Sequence, residues 1–361
     1  MNNEFHAFIF LDPGQDLFPL VNKYIDKHML PIVNKPLLFH NIKFLAECCN
    51  KITIVGLKKL KDSVEKVIDE FIESRSEESF DRKNIEFLEI MYFEGVHTIL
   101  LSKIDQVTSK RIIIMKGDII TNVKLSDIIV DFKRSKTKFY TILTKKKSEN
   151  YICYKNNEIL YYKNNNPIKN EIFSKFDKVK ISTELDTIQL YICDKECILY
   201  TEKSFSFKNT FFPTMVEKLL ENIPVKFFYK ENSFFQIKTP DDYLEANMFV
   251  LSNLKSFSYK GNPCISTKST SVLENIEIGK SKIFKSIIGE GTKIGDKVKI
   301  SSSVIMNAVI IGNNVKIENC VIGCNVIIPE NSTLKNCKIS SNFIFKETVK
   351  LLDQNIMALD N

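Results

Sequence analysis

Apolar and polar positions follow two different rhythms along the chain. Up to about residue 252, short apolar runs rich in β-branched residues alternate with longer segments whose apolar residues recur at helical spacing. "HAFIF" (6–10), "KITIVGL" (51–57), "IEFLEIM" (85–91) and "RIIIMKGD" (111–118) read as strands. "PLLFHNIKFLAECC", "KLKDSVEKVIDEFIESR" and "EGVHTILLSKIDQV" read as the helices between them. Alternation of this kind predicts a Rossmann-like, mostly parallel sheet with helices on both faces, over residues 1–252. Such sheets bind ligands at the carboxyl ends of their strands. The first strand runs into "LDPGQDLFPL" (11–20), a turn with one glycine, and then into "KHMLPIVNKPLLF" (27–39), which reads as the entry to a helix.

After a short boundary, "SNLKSFSYKGNPC" (252–264), the helical spacing disappears and a repeat begins. Ile288, Ile294, Ile300, Ile305, Ile311, Ile317, Ile322, Ile328, Leu334 and Ile339 advance in steps of 6, 6 and 5, three times over. Ser286, Ser303, Cys320 and Cys337 recur at the summed period of 17. A triangular coil needs one inward aliphatic residue per flat side and small residues at tight corners, which is this pattern. Residues 265–345 are therefore expected to form a left-handed parallel β-helix of hexapeptide repeats, with Gly295 and Gly312 at corners and 346–361 as a C-terminal tail. All four histidines, His6, His28, His40 and His97, precede the repeat, which argues against histidine-based acyl transfer by the coil.

Composition narrows the class. The chain has 361 residues, 44% apolar and 26% charged, the balance of a globular protein. No apolar run approaches the ~18 residues of a membrane span, and the first residues lack a signal-peptide pattern, so a cytoplasmic protein without membrane contact is expected. The nine cysteines form no C-x-x-C pair and are read as reduced thiols; no zinc-like ligand spacing occurs. The net charge is +7, and the densest basic stretch is Lys133, Arg134, Lys136, Lys138, Lys145, Lys146 and Lys147. It reads either as a contact for RNA or an acidic partner, or as solvated helix and strand ends. No aromatic RNA motif interleaves with it, so direct nucleic-acid binding is not expected.

The frame of this chain resembles the sugar-1-phosphate nucleotidyltransferases, whose signature runs G-G-x-G-T-R-L-x-P-L-T, P-K-P-L-L-P, N-K-P. Leu17, Pro19 and Leu20 match L-x-P-L; Lys27 and Pro31 match the second element; Asn34, Lys35 and Pro36 match the third. "TPDDYLEAN" (239–247) resembles the family's T-P-x-D-Y-L-x-A-N. Asp118 stands where the family places a metal-binding aspartate after a strand. The chemistry is altered. The glycine loop reads Leu11, Asp12, Pro13, Gly14, and proline supplies no N–H to a phosphate. Asp16 replaces the family's arginine, Gln236 its second metal-binding carboxylate, and Gly95, Val96, His97 its base-contacting G-T-A. Gly14, Lys27 and Asp118 remain as vestigial nucleotide-binding candidates, no residue is expected to be catalytic, and no metal or cofactor is implied. The plainer reading makes Lys27 a surface lysine near a turn and Asp118 a strand-end residue capping the next helix.

The resemblance is more specific to the gamma subunits of eukaryotic translation initiation factor 2B, over about residues 5–345 with gaps. "MKGDIITNVKLSDIIVDFKRSKTKFYTILTKKK", "ELDTIQLYICDKE" and the β-helix, including its V-x-M-N and L-K-x-C elements, carry it. It implies a degenerate nucleotidyltransferase in the guanine-nucleotide exchange factor for initiation factor 2. Its partners would be an epsilon-type catalytic subunit, the other exchange-factor subunits and the initiation factor 2 GTPase as substrate. The alternative within the same frame is a divergent mannose-1-phosphate guanylyltransferase, or the regulatory subunit of one.

Overall fold

The computed structural model describes residues 4–13, 17–21, 25–74, 80–92, 95–146, 150–164, 178–200, 211–219, 223–257, 264–266, 269–273 and 275–358. Among the described residues fourteen strands precede the repeat: β1 (Phe5–Phe10), β2 (Pro31–Ile32), β3 (Lys35–Pro36), β4 (Lys51–Leu57), β5 (Ile85–Ile90), β6 (Arg111–Lys116), β7 (Ile119–Thr121), β8 (Phe139–Lys145), β9 (Asn150–Lys155), β10 (Glu158–Asn164), β11 (Lys180–Ser182), β12 (Leu185–Asp194), β13 (Val225–Tyr229) and β14 (Phe234–Gln236). Helices α1 (Leu37–Ala46), α2 (Lys61–Glu73), α3 (Val96–Lys103) and α4 (Leu125–Ser135) alternate with them, and two later helices cover Phe212–Leu219 and Pro240–Ser252. The chain divides into two compact units: residues 1–12 with 38–235, and residues 13–37 with 236–361.

The first unit is built on a ten-stranded sheet ordered β11-β9-β10-β13-β8-β12-β6-β1-β4-β5. β1 lies parallel between β4 and β6, with Phe8 opposite Thr53 and Ile114. Each of the expected strands and helices in this part is present. The strands form because β-branched and aromatic residues occupy successive positions buried on both faces; all six residues of β1 are buried. The helices cover the sheet with one stripe each, Val64, Val67, Ile68 and Phe71 on α2 and Leu125, Ile128, Ile129 and Phe132 on α4. The "KHMLPIV" segment departs from expectation. It makes a 3-10 turn (Lys27–Met29) and then the β2–β3 hairpin, and helix α1 starts only at Leu37. Pro31 and Pro36 explain this, since each removes an N–H donor and biases the residue before it away from helix.

A buried histidine crosses this sheet. His6 Nε2 lies 2.8 Å from Thr53 Oγ1, whose hydroxyl donates to Glu86 Oε1 at 2.7 Å. The threonine proton is thus committed, and His6 must donate through Nε2. Burial, reinforced by Lys51 and opposed by Glu86, holds the His6 pKa down at about 4. The unfolded chain then binds a proton here between pH 6.5 and 4 that the folded chain does not. Stability from this group is fully present above pH 6.5 and falls as pH drops through that window. Between pH 7 and 4.5 the loss is about 2 kcal/mol. Urea unfolding at the two pH values checks this: His6→Asn is expected to show a smaller acid loss than the parent chain.

In the second unit the β-helix has the expected register. Its strands pair in parallel at an offset of 17: Ile283, Ile300, Ile317, Leu334 and Leu351 stack on one side, and Ile288, Ile305, Ile322, Ile339 and Ile356 on another. Their inward side chains form one aliphatic core with Val298, Val309, Val315 and Val326. The segment set aside as a tail continues the coil: Lys350–Leu352 and Asn355–Ile356 pair with Thr333–Lys335 and Lys338–Ile339. The small-residue column at 17 also has a mechanism. Ser303 N donates to Ser286 Oγ, Cys320 N to Ser303 Oγ and Cys337 N to Cys320 Sγ, so each corner side chain satisfies the backbone of the next coil.

The corners correct one expectation. Gly295 and Gly312 are not in the left-handed region; asparagines take it, including Asn314, Asn319, Asn325, Asn331, Asn336 and Asn342. Their amides form ladders along the coil, Asn314 to Asn331 and Asn325 to Asn342, at 2.8 and 3.0 Å. The glycines answer to a different need, close approach: a Cβ at Gly312 would lie 2.5 Å from Glu330 N. Among the described residues every cysteine with a described environment is a free thiol. No helix among those residues is long and apolar enough to cross a membrane.

Candidate functional site

The ligand position expected from the strand order is at the carboxyl ends of β1 and β6, where that order reverses. The backbone there is tightly fixed: Gly117 N donates to Phe10 O at 3.0 Å, and Asn41 Nδ2 on α1 donates to Ile119 O at 3.1 Å. Three charged side chains meet in it. Lys116, the last residue of β6, places Nζ 2.9 Å from Asp12 Oδ2 and 3.9 Å from Asp118 Oδ2. Asp118 is fully buried, and Lys116 is 18% exposed.

This arrangement is the reverse of what a nucleoside triphosphate requires. Lys116 Nζ is already shared between the two acids, so it is not free to meet a phosphate. A phosphate brought to ~4 Å from a carboxylate would meet a repulsion of about 4 kcal/mol at an effective dielectric constant near 20. Nor do the residues fit magnesium. That ion wants one or two free carboxylates together with substrate phosphates, whereas both carboxylates here face Lys116 and position 236 supplies an amide. Among the described residues no three His, Cys, Asp or Glu side chains converge. Sequence reading found Asp118 and missed Asp12 and Lys116 as its companions; the "MKGD" motif marked the aspartate, but only the β1–β6 pairing brings position 12 beside position 116.

The other candidates stand as follows. Gly14 lies outside the described residues, as does Asp16. Lys27 is not a surface lysine: it sits in the 3-10 turn capped by Asp26 and is 2% exposed. Asp118 does not cap the next helix, since α4 starts seven residues later and its first N–H, on Leu125, donates to Glu47 at 3.2 Å. His97 is buried on α3 and its Nε2 donates to Ile198 O at 2.9 Å, a structural bond. Gly95, with φ of 101°, is the residue before that helix.

The signature residues that the chain retains hold the second unit together. The β2–β3 hairpin turns through Val33 and Asn34, both in the left-handed region. A β-branched residue there is strained, and it is held by Asn247 on helix Pro240–Ser252, whose Oδ1 accepts from Val33 N at 2.9 Å. Tyr243 of the same helix donates to Pro31 O, and Asn34 Nδ2 donates to Ile288 O of the first coils at 3.2 Å. The helix starts with a capping box between Thr239 and Asp242. Thus the N-K-P and T-P-x-D-Y-L-x-A-N elements do architectural work, whereas the altered positions are those that would touch phosphates.

The basic stretch does not form one patch. Lys133 pairs with Glu4 at 2.7 Å, and Arg134 and Lys136 end α4. Lys145 and Lys146 lie at the opposite end of β8, about 20 Å away at ~3.3 Å per residue; Lys147 is outside the described residues.

Residues 257–340 match a family model described as GlmU-like, C-terminal hexapeptide. The match covers the β-helix as far as Ser340 and supports a nucleotidyltransferase-like hexapeptide family. No curated protein matches the chain.

Proposed function

We propose that this chain is a non-catalytic subunit of the guanine-nucleotide exchange factor for translation initiation factor 2. In this reading it pairs with an epsilon-type catalytic subunit and helps to hold the substrate GTPase. The observation that carries it is Lys116 clamped between Asp12 and Asp118 in the crevice where a triphosphate and its magnesium would have to sit. The coil-for-coil resemblance of the β-helix supports the choice among non-catalytic roles. So does an outward column of Ile310, Ile327 and Ile344, one coil apart, with Ile310 and Ile344 exposed. An apolar column on a rigid face suits a subunit interface.

The second reading is a divergent mannose-1-phosphate guanylyltransferase or its regulatory partner, favoured by the same two-domain frame. Two measurements separate them. Affinity capture of the tagged chain from its own cells is expected to recover initiation factor 2 subunits and a larger chain bearing a β-helix and a C-terminal helical exchange domain. Recovery of an active nucleotidyltransferase instead supports the second reading. Pyrophosphate release from GTP and mannose-1-phosphate with magnesium is expected to stay at the no-enzyme rate; turnover above it overturns the proposal.

A further inference from the structure

One flat side of the β-helix carries a column of lysines that no stretch of the sequence displays. The strands Lys282–Phe284, Lys299–Ser301, Lys316–Glu318, Thr333–Lys335 and Lys350–Leu352 stack in parallel, with Lys282 beside Lys299, Lys299 beside Lys316, Lys316 beside Thr333 and Thr333 beside Lys350. The spacing between rungs is that of parallel strands, ~4.8 Å, so the column is about 19 Å long. All four lysines are exposed. None of them forms an ion pair among the described residues, although other rungs of the same coil are compensated: Lys293 by Glu277 at 2.9 Å and Lys335 by Glu318 at 3.2 Å.

Like charges directly opposite one another in a sheet are destabilising. Three of them in successive rungs, followed by a fourth, impose a standing cost that an anionic ligand relieves. The side offers no free backbone edge, because each inner strand is already paired above and below; an acidic peptide would therefore gain no main-chain bonds by lying on it. It does offer an aromatic platform. Phe284 points outward from the same strand as Lys282 and is 44% exposed. Cations in line beside an exposed ring are the two components that hold unpaired nucleotides: phosphates on the lysines, a base on the ring.

We propose that this face binds single-stranded nucleic acid through Lys282, Lys299, Lys316 and Lys350, with Phe284 stacking on a base. The proposal goes beyond the subunit reading and stands without it. It also departs from the sequence expectation of no nucleic-acid contact, because lysines 17 residues apart look dispersed until the coil stacks them.

The test is fluorescence anisotropy of the full-length chain with a labelled 20-nucleotide oligouridylate, between 50 and 200 mM KCl. The expected result is binding with a log–log salt slope of roughly −2 to −3, from three or four phosphate contacts at about −0.7 each. Lys282→Glu with Lys299→Glu and Lys316→Glu is expected to weaken binding at least about tenfold and to flatten the slope. The triple Gln variant, which only neutralises, should fall between. A control with the same charge change on the first unit, Lys59→Glu with Lys61→Glu and Lys110→Glu, should bind as the parent does. Phe284→Ala should weaken binding without changing the slope. Absence of binding at 50 mM KCl overturns the proposal. So does equal loss in both charge-reversal triples, or a poly-glutamate peptide that binds more tightly than the oligonucleotide. A failed affinity capture of initiation factor 2 would leave this result untouched.

Discussion

Gly323→Val is expected to unfold the β-helix, or to cost it about 4 kcal/mol, at the upper end of what a single substitution does. A side chain at Gly323 has no direction in which to relax. Its Cβ would lie 2.4 Å from Ser341 N and 2.7 Å from Ser340 C and Ser341 Cα, all backbone atoms of the next coil. That backbone is fixed in turn, since Gly323 N donates to Ile339 O and Ser340 N to Ile356 O at 2.9 Å. Relief would require separating two coils and breaking the ladder above and below. Because each coil is stabilised by its neighbours, the damage should spread along residues 275–358 and leave the ten-stranded sheet folded. The check is urea unfolding with hydrogen exchange read separately on the two units. Gly291→Asn is the informative contrast. Gly291 is left-handed, with φ of 71°, and a Cβ there meets nothing closer than 3.9 Å. Asparagine tolerates that backbone, so a change of no more than about 0.5 kcal/mol is expected. Equal destabilisation by both variants would mean that glycine serves the coil through its conformation and not through close approach.

The contrast between these two glycines also shows what the sequence made legible. The period of 17 announces stacking, since only a closed coil buries one aliphatic residue at each of its steps of 6, 6 and 5. The parallel run β6-β1-β4-β5 is equally plain, because buried β-branched runs alternate with helical stripes there, whereas the antiparallel pairing of β12 with β6 and β8 and of β9 with β10 and β11 departs from the mostly parallel expectation. Positions that depend on three-dimensional return of the chain were not legible. Gly295 and Gly312 suggested left-handed corners, but the constraint on them is the backbone of the coil above, 17 residues on. "KHMLPIV" read as the entry to a helix; two prolines and the Val33–Asn34 turn make it a hairpin held by Asn247, more than 200 residues later. Lys27 looked exposed because lysines usually are, and it is buried. The basic stretch from Lys133 to Lys147 looked contiguous, yet a seven-residue strand holds its halves apart. The lysine column of the coil is the converse case, scattered in sequence and continuous in space. Beside β6, "MKGD" pointed to Asp118, while the lysine that faces it stands two residues earlier at the end of β6 and the second acid, Asp12, follows β1.

That crevice makes the second large prediction. Lys116→Met is expected to destabilise the first unit by about 3 kcal/mol, because it removes the ammonium that β6 places between Asp12 and the fully buried Asp118. The methionine matches the lysine stem in volume, so packing should survive and the loss should be electrostatic. Asp118→Asn in that background removes the buried charge itself. The double variant should therefore be more stable than Lys116→Met alone, an interaction of 1 kcal/mol or more in the direction opposite to additive damage, as expected for residues of one network. Asp118→Asn alone should cost less than Lys116→Met, since the lysine keeps Asp12 at 2.9 Å. Denaturant midpoints for the four chains decide the matter. If the double variant is as unstable as the sum of its parts, the ammonium is not neutralising a charged pair, and the argument that this crevice has been rebuilt against phosphates loses its physical basis. If the compensation is found, Lys116 is a cation already committed to its two acids. A nucleotide could then enter only by breaking it, which is the reason to look for this chain's function on its surfaces and in its partners.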